Sequence, residues 1–267
     1  MLNTELYVMF LRRNFRLTAS VAAGAGLISY VLTVLFPRME PSVAHAVSLA
    51  WPDAMKNLFG DPAYAFSNVY GWINLEMFHV TFWAVFGLLA AILAARVVSR
   101  EREERTLEIL LAYPISRSGV VLSRLLATTT LVVLAILPTI LGFALAIVTL
   151  GEPLKLGIIL FATGTGFLLA LFCGSISLLA STCGAGQTLS ALIAFGIVAV
   201  LFIYTSAIVV SVPSLIAVDF VSPFHFYRVD AAFSRGAFDP SVLCLLAYDA
   251  IPAATAVIVF SRRDVMA

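Results

Sequence analysis

Few residues in this chain are placed to do chemistry, and most of those fail on spacing. Only two lysines occur, Lys56 and Lys155, and neither follows a glycine. A phosphate-cradling loop of the form G-x-x-x-x-G-K-[ST] is therefore impossible here. Phosphoryl transfer needs that cradle and its lysine, so any nucleotide chemistry has to reside on another chain. Asp249 is the only aspartate inside a long apolar run, beside Tyr248 and three residues before Pro252. An ionised carboxylate at bilayer depth costs about 2.5–3.5 kcal/mol even on the lenient insertion scale. Asp249 must therefore face a bundle interior, find a partner or stay protonated. Its functional role would be a polar element of a translocation path or subunit interface; its plain role, a neutral acid bonded to a neighbouring helix.

Proteolytic and metal chemistry are excluded by absence. An intramembrane aspartyl protease needs a second carboxylate, in a Gly-x-Gly-Asp motif, to share one proton. That motif does not occur. Ser175 and Ser177 lack a histidine in the last apolar run, because the three histidines are His45, His79 and His225. No His-Glu-x-x-His pair exists to hold zinc. Cys173, Cys183 and Cys244 have no paired spacing and lie in or beside apolar stretches, which suits small core residues and no disulfide framework. The expectation is no catalytic residue and no metal ligand.

Asp249 has to be positioned by a membrane bundle. Of the 267 residues, 61% are hydrophobic and 12% charged. A soluble domain carries about 25% charged residues, so this chain cannot coat a water-facing shell. Six apolar runs are long enough to cross a hydrocarbon layer of about 30 Å. They cover residues 17–36, 77–98, 125–150, 156–180, 189–212 and 241–260. The fold expected is an all-α integral membrane protein, residues 1–267 forming one domain without internal repeats. The net charge of +1 gives no reason to expect nucleic acid as a partner. The first run is too long for a signal-peptide core.

Orientation follows from the basic residues. With both termini cytoplasmic, eleven lie inside (Arg12, Arg13, Arg16, Arg96, Arg100, Arg102, Arg105, Arg117, Arg124, Arg262, Arg263) and five outside (Arg38, Lys56, Lys155, Arg228, Arg235). The excess favours that orientation. Trp51, Trp72 and Trp83 then fall near the first outer loop, where an interfacial ring belongs.

The connecting segments carry patterns of their own. Residues 4–16 place Leu6, Met9 and Phe10 on one face ahead of arginines, which predicts a short interfacial helix before the chain turns into the bilayer. Val43, Val47, Trp51, Met55 and Leu58 recur at helical spacing, predicting one or two amphipathic helices on the outer surface. Residues 213–240 are aromatic-rich and broken by Pro213 and Pro223, which predicts a segment dipping back toward the membrane. Gly166, Ala170 and Gly174 are spaced by four, a pattern that lets helix backbones approach, within the chain or between subunits. Pro138 and Pro252 are candidate kinks.

The longest inner loop is the most informative segment. Charged residues fill 99–108, and Leu107, Leu110 and Leu111 then form an apolar stripe at helical spacing. Tyr113-Pro114 stops that helix, and Ser116 can cap the next. Too short to span, the striped helix can lie on lipid, pack on its own bundle or fit a groove on a cytoplasmic partner. The run Glu104-Arg105-Thr106-Leu107-Glu108 followed by Leu110-Leu111-Ala112-Tyr113-Pro114-Ile115-Ser116-Arg117 resembles the motif of ABC-2 type permeases. In that family an acidic stretch leads into Gly-Thr-Leu-Glu, two leucines and Pro-Val-Ser-Arg, between the second and third spans. Phe260-Ser261-Arg262-Arg263-Asp264 resembles the family's ending. Arg105 stands where glycine is common, and an exposed helical face would tolerate it.

The resemblance implies the membrane-spanning subunit of an ATP-driven transporter, type V exporter-like, with no enzyme activity of its own. It implies a coupling helix over 100–113 that docks on a separate cytoplasmic ATPase subunit, present in two copies. Glu101, Glu104, Arg105, Thr106, Leu107, Glu108, Leu110 and Leu111 are the contact residues it implies. ATP and Mg would sit on that partner and no cofactor on this chain. A second permease subunit, identical or related, completes the assembly in a bacterial or archaeal cytoplasmic membrane. Two other expectations stand beside export: a permease for maturation of a metalloenzyme such as nitrous-oxide reductase, and an ion-coupled secondary carrier using Asp249.

Overall fold

The computed structural model describes residues 3–36, 40–52, 55–56, 62–105 and 116–262. All regular structure among them is helical. Six helices are long and apolar enough to cross a membrane: Thr4–Val34, Val69–Ala95, Arg117–Thr149, Leu156–Thr182, Gln187–Ser211 and Pro240–Arg262. They are termed the first to sixth spans. Each contains most of one predicted apolar run, but the ends extend past the apolar residues. Hydrogen-bond continuity, not hydrophobicity, sets where a helix stops.

The first span corrects an expectation. No separate interfacial helix precedes it; Thr4–Val34 is one unbroken helix. Asn3 caps it by accepting from the Leu6 amide at 3.1 Å. No glycine or proline interrupts the chain before Gly24, so nothing releases a ladder bond to make a turn. At 1.5 Å per residue the helix is roughly 46 Å long, longer than the hydrocarbon layer by about three turns. Its arginine-bearing start therefore projects beyond the apolar zone. The third span is longer still in residues, and Ser116 caps it by accepting from the Gly119 amide at 3.2 Å.

The second span sits at the centre. It packs on the third, fourth and fifth spans, while the first lies along the third and the sixth along the fourth. Of its most apolar stretch 61% is buried, against 17% in the fifth and sixth spans. The last two spans therefore turn most of their apolar surface outward. Phe78, Phe82 and Phe86 stack down the central helix, with ring centroids 4.9 and 4.6 Å apart. Pro138 and Pro252 lie inside helices that continue past them.

At the face opposite the termini the chain after the fifth span folds back on the bundle. Two 3-10 turns, Pro213–Val221 and Pro223–Phe226, lead into the helix Val229–Arg235, which Gly236 ends in the left-handed conformation, φ 65°. Phe224, Val229 and Phe233 are buried among the spans. Tyr227 donates to the Phe78 carbonyl at 2.9 Å. Two readings of single residues are corrected here. Trp83 is no interfacial residue: it is 4% exposed and packs on Phe202 and Phe224. Cys183 and Cys244 are exposed, and only Cys173 is buried. Cys183 ends a helix at a turn and Cys244 lies on the outward side of the sixth span, two places where apolar neighbours in sequence do not mean burial.

Candidate functional site

The segment leaving the second span is held from both sides. Val97 and Val98 end the span in a turn, and Ser99–Glu103 forms a short helix. Glu101, 8% exposed, faces inward. Its Oε1 accepts from Arg124 Nη2 at 3.0 Å and from Arg13 Nη1 at 3.2 Å. Among the described residues Arg124 is the largest fully buried side chain, and its Nη1 donates to the Val97 carbonyl at 2.7 Å. Arg13 also reaches Glu104, which Arg100 bonds at 2.9 Å one turn back. Hydrogen bonds from Arg100 and Arg13 hold the Glu104 carboxyl below its ordinary range. One acidic side of the short helix is thus pinned to the first and third spans.

The other side is pinned to the turn between the fourth and fifth spans. Ser99 Oγ donates to the Ala185 carbonyl at 2.8 Å, and Arg102 Nη2 donates to the same carbonyl at 2.6 Å. Glu103 accepts from the Gln187 amide at 2.7 Å. That amide opens the fifth span, where unsatisfied N–H groups and the helix dipole favour a carboxylate. Five residues therefore join four spans at the terminal face.

Arg105 is where the helix reading needs correction. The pattern places it on an exposed helical face within 100–113, yet the helix ends at Glu103 and Arg105 adopts φ 55°, the left-handed region. Its amide bonds the Arg102 carbonyl at 3.2 Å, closing the helix. Glycine takes this conformation without a Cβ penalty, which explains on backbone grounds why glycine suits this place in the motif. A non-glycine residue there costs about 1–2 kcal/mol. Arg105→Gly relieves that strain but adds unfolded-state entropy. The expected result is a gain of at most about 1 kcal/mol, read as a small rise in thermal midpoint; a fall would contradict the strain.

The remaining predicted residues separate into groups. Thr106, Leu107, Glu108, Leu110 and Leu111 lie outside the described residues. Tyr248 and Asp249 sit toward the opposite end, far along the chain from the charged cluster: Tyr248 donates to the Phe220 carbonyl, and its ring lies edge-on to Phe172 at 5.9 Å. Neither oxygen of Asp249 has a hydrogen-bond partner among the described residues. Gly166 and Gly174 face the second span. A Cβ on Gly166 would lie 2.4 Å from the Phe82 ring, and one on Gly174 3.4 Å from Ala90. Ala170 is fully buried between them.

Arg13, Ser99, Arg102, Glu103 and Arg124 are the residues that sequence reasoning passed over. Arg124 carried a usable signal, since a charge within a spanning helix is a functional hypothesis by default. Starting the third span at 125 placed it just outside and hid it.

Six apolar helices, the second of them central and four others joined to it at one face by a charged clamp, define a polytopic membrane protein of the transporter class. The sequence matches the family described as "ABC-2 family transporter protein" over residues 19–265, and the chain belongs to that family. It is accordingly a permease subunit of an ABC transporter, which works with an ABC ATPase. Comparison with curated proteins gave no match.

Proposed function

We propose that this permease is the export channel of an ATP-driven pump and receives its stroke through residues 106–111. The observation that carries the reading is the two-sided clamp at the root of that segment. Arg13 and Arg124 hold it to the first and third spans, while Arg102, Ser99 and Glu103 hold it to the fourth and fifth. A displacement applied just beyond Arg105 is therefore delivered to both sides of the bundle at once. Closure of the ATPases on ATP then favours one arrangement of the spans over another, which is alternating access driven by differential affinity.

In this assembly two permeases, identical or related, stand on two ATPase subunits. Both termini are cytoplasmic, in a bacterial or archaeal cytoplasmic membrane. ATP and Mg bind the ATPases alone, and this chain performs no chemistry of its own. The second permease covers the outward apolar faces of the fifth and sixth spans and supplies a donor to Asp249, which has none among the described residues.

Leu107→Asp tests the docking role. Removing one buried leucine contact from a groove costs at least about 1.5 kcal/mol, roughly tenfold in affinity. The variant should insert and fold normally but retain the ATPase subunit at least about tenfold more weakly in co-purification. Wild-type retention together with wild-type transport would overturn docking through this segment.

A further inference from the structure

The face opposite the termini holds a cavity of about 530 Å³ between the second span, the fifth span and the segment that folds back before the sixth. Both spans depart from α geometry where they line it. Asn74–Phe78 and Tyr204–Ile208 are each one turn of π-helix, and Asn74, Phe78, Thr205 and Ser206 border the space. A π-turn inserts a residue at the expense of regular bonding and occurs mostly at functional sites. Two such turns meet at one cavity, and in the second span a further break at His79 and Val80 follows before the α-helix resumes at Thr81.

The polar groups are arranged, not merely present. Asp230 is set by two fixed groups: Asn74 Nδ2 donates to its Oδ1 at 2.6 Å, and His79 Nε2 lies 3.1 Å from the same oxygen. Asn74 is 5% exposed and His79 largely enclosed, whereas the Asp230 side chain is 66% accessible. Oδ1 is thus engaged by the wall, and Oδ2 faces open space. Although solvent reaches the side chain, the surrounding protein partly desolvates the Asp230 carboxyl and pulls it up; His79 and Asn74 more than offset this and hold it below its ordinary range. Arg228, just before the short helix Val229–Arg235, and Arg235, its last residue, border the cavity and are exposed. A second histidine–aspartate pair, His225 Nδ1 with Asp219 Oδ2 at 2.7 Å, also borders the cavity and fixes the returning segment, while the buried Asp219 Oδ1 has no hydrogen-bond partner among the described residues. Aromatic rings of Phe202, Phe224 and Tyr227 complete the wall.

A simple cation would meet two arginines here, and a simple anion a preset carboxylate. The geometry points to a zwitterion as the ligand: an ammonium group donating to Asp230 Oδ2 and an anionic phosphate taken by Arg228 and Arg235. Charged hydrogen bonds of this kind are the strong ones, and aromatic walls favour an ammonium further. Two sources share that chemistry, a phosphoethanolamine headgroup of a bilayer lipid and a free phosphoethanolamine. The site is distinct from the ATPase-docking segment and needs no nucleotide.

The test uses the full permease. Purified protein in detergent is titrated with phosphoethanolamine and with inorganic phosphate. In parallel, lipid retained from vesicles of equal phosphatidylethanolamine and phosphatidylcholine is identified by native mass spectrometry. Binding of phosphoethanolamine at least about tenfold tighter than phosphate supports the free source. Selective retention of phosphatidylethanolamine supports the lipid source, since choline has no N–H to offer Oδ2. Asp230→Asn keeps the acceptor for Asn74 and should abolish either preference. Arg228→Gln with Arg235→Gln should weaken phosphate and phosphoethanolamine alike. No binding and no lipid preference in folded wild-type protein, or a preference untouched by Asp230→Asn, overturns the assignment.

Discussion

Glu101→Ala should destabilise the permease by about 3–5 kcal/mol, the largest loss expected from any single side chain here. The cause is the partner left behind. Arg124 is 1% exposed and cannot be reached by water. Its charge is tolerated because Nη2 meets Glu101 and Nη1 meets the Val97 carbonyl. Removing the carboxylate strands a guanidinium among apolar side chains and leaves Arg13 held by Glu104 alone. The exposed bridge nearby makes the contrast. Glu104 shares Arg13 but faces solvent, where ion pairs contribute little, so Glu104→Ala should leave melting nearly unchanged. Replacing both buried partners, Glu101→Leu with Arg124→Met, should recover much of the stability, because no uncompensated charge remains. Thermal unfolding of the purified permease reads all three. A single Glu101→Ala variant that melts with the wild type would show that the buried pair does not hold the clamp.

The double variant separates stability from transmission. A leucine and a methionine can fill the volume, but neither can hold Arg13. If the clamp carries the stroke, that protein should keep its ATPase partner and lose much of its transport. This divides two roles that the single variant merges.

What the sequence disclosed follows from what each signal measures. Apolar run length reports the thickness of hydrocarbon to be crossed, so all six spans were legible. It does not report where a helix ends. The start of the first span reads in sequence as a separate interfacial helix and Arg124 falls outside the third, because both regions are charged, although the backbone runs through both. Helix periodicity likewise placed Arg105 on a helix, while its φ of 55° belongs to the cap; the clue was the residue type usual at that place, glycine, and its preference for positive φ. The π-turns at Asn74 and Tyr204 left no compositional trace, since they alter hydrogen-bond register and not residue choice. Asp230 and His79 lie far apart in the chain, and neither is unusual until the fold-back segment brings them together.

Small residues show the same limit most clearly. A search at four-residue spacing finds Gly166, Ala170 and Gly174, which share a face of one helix. An equally tight approach, here against backbone, lies elsewhere, and each helix contributes one glycine to it. Gly26 of the first span meets Pro138 of the third, where a Cβ would lie 2.8 Å from the proline Cβ and 2.9 Å from its carbonyl oxygen. Gly142, one turn on, returns the contact: its Cβ would lie 2.4 Å from the Gly26 carbonyl oxygen. Ala22 and Gly26 on the first span and Gly142 and Ala146 on the third are buried at four-residue spacing too, but the match between the two faces exists only across the pair.

Gly142→Leu should therefore force the first and third spans apart. The obstruction is backbone, which cannot swing aside as a side chain does, and Ser29 Cβ and the Tyr30 amide close the remaining exits at 3.2 Å. Overpacking of this sort costs typically about 1–3 kcal/mol, and an immovable neighbour puts this case at or above the upper end. The consequence extends beyond the crossing. Arg13 lies on the first span and Arg124 on the third, so separating the two helices also pulls the clamp on Glu101. Gly24 is the control, two residues before Gly26 on the first span, with nothing within 4 Å of its added Cβ. Gly24→Ala should stabilise by up to about 1 kcal/mol through helix propensity alone. Melting measured on both variants should move in opposite directions. If Gly142→Leu melts no lower than Gly24→Ala, the two spans do not cross in contact at this point.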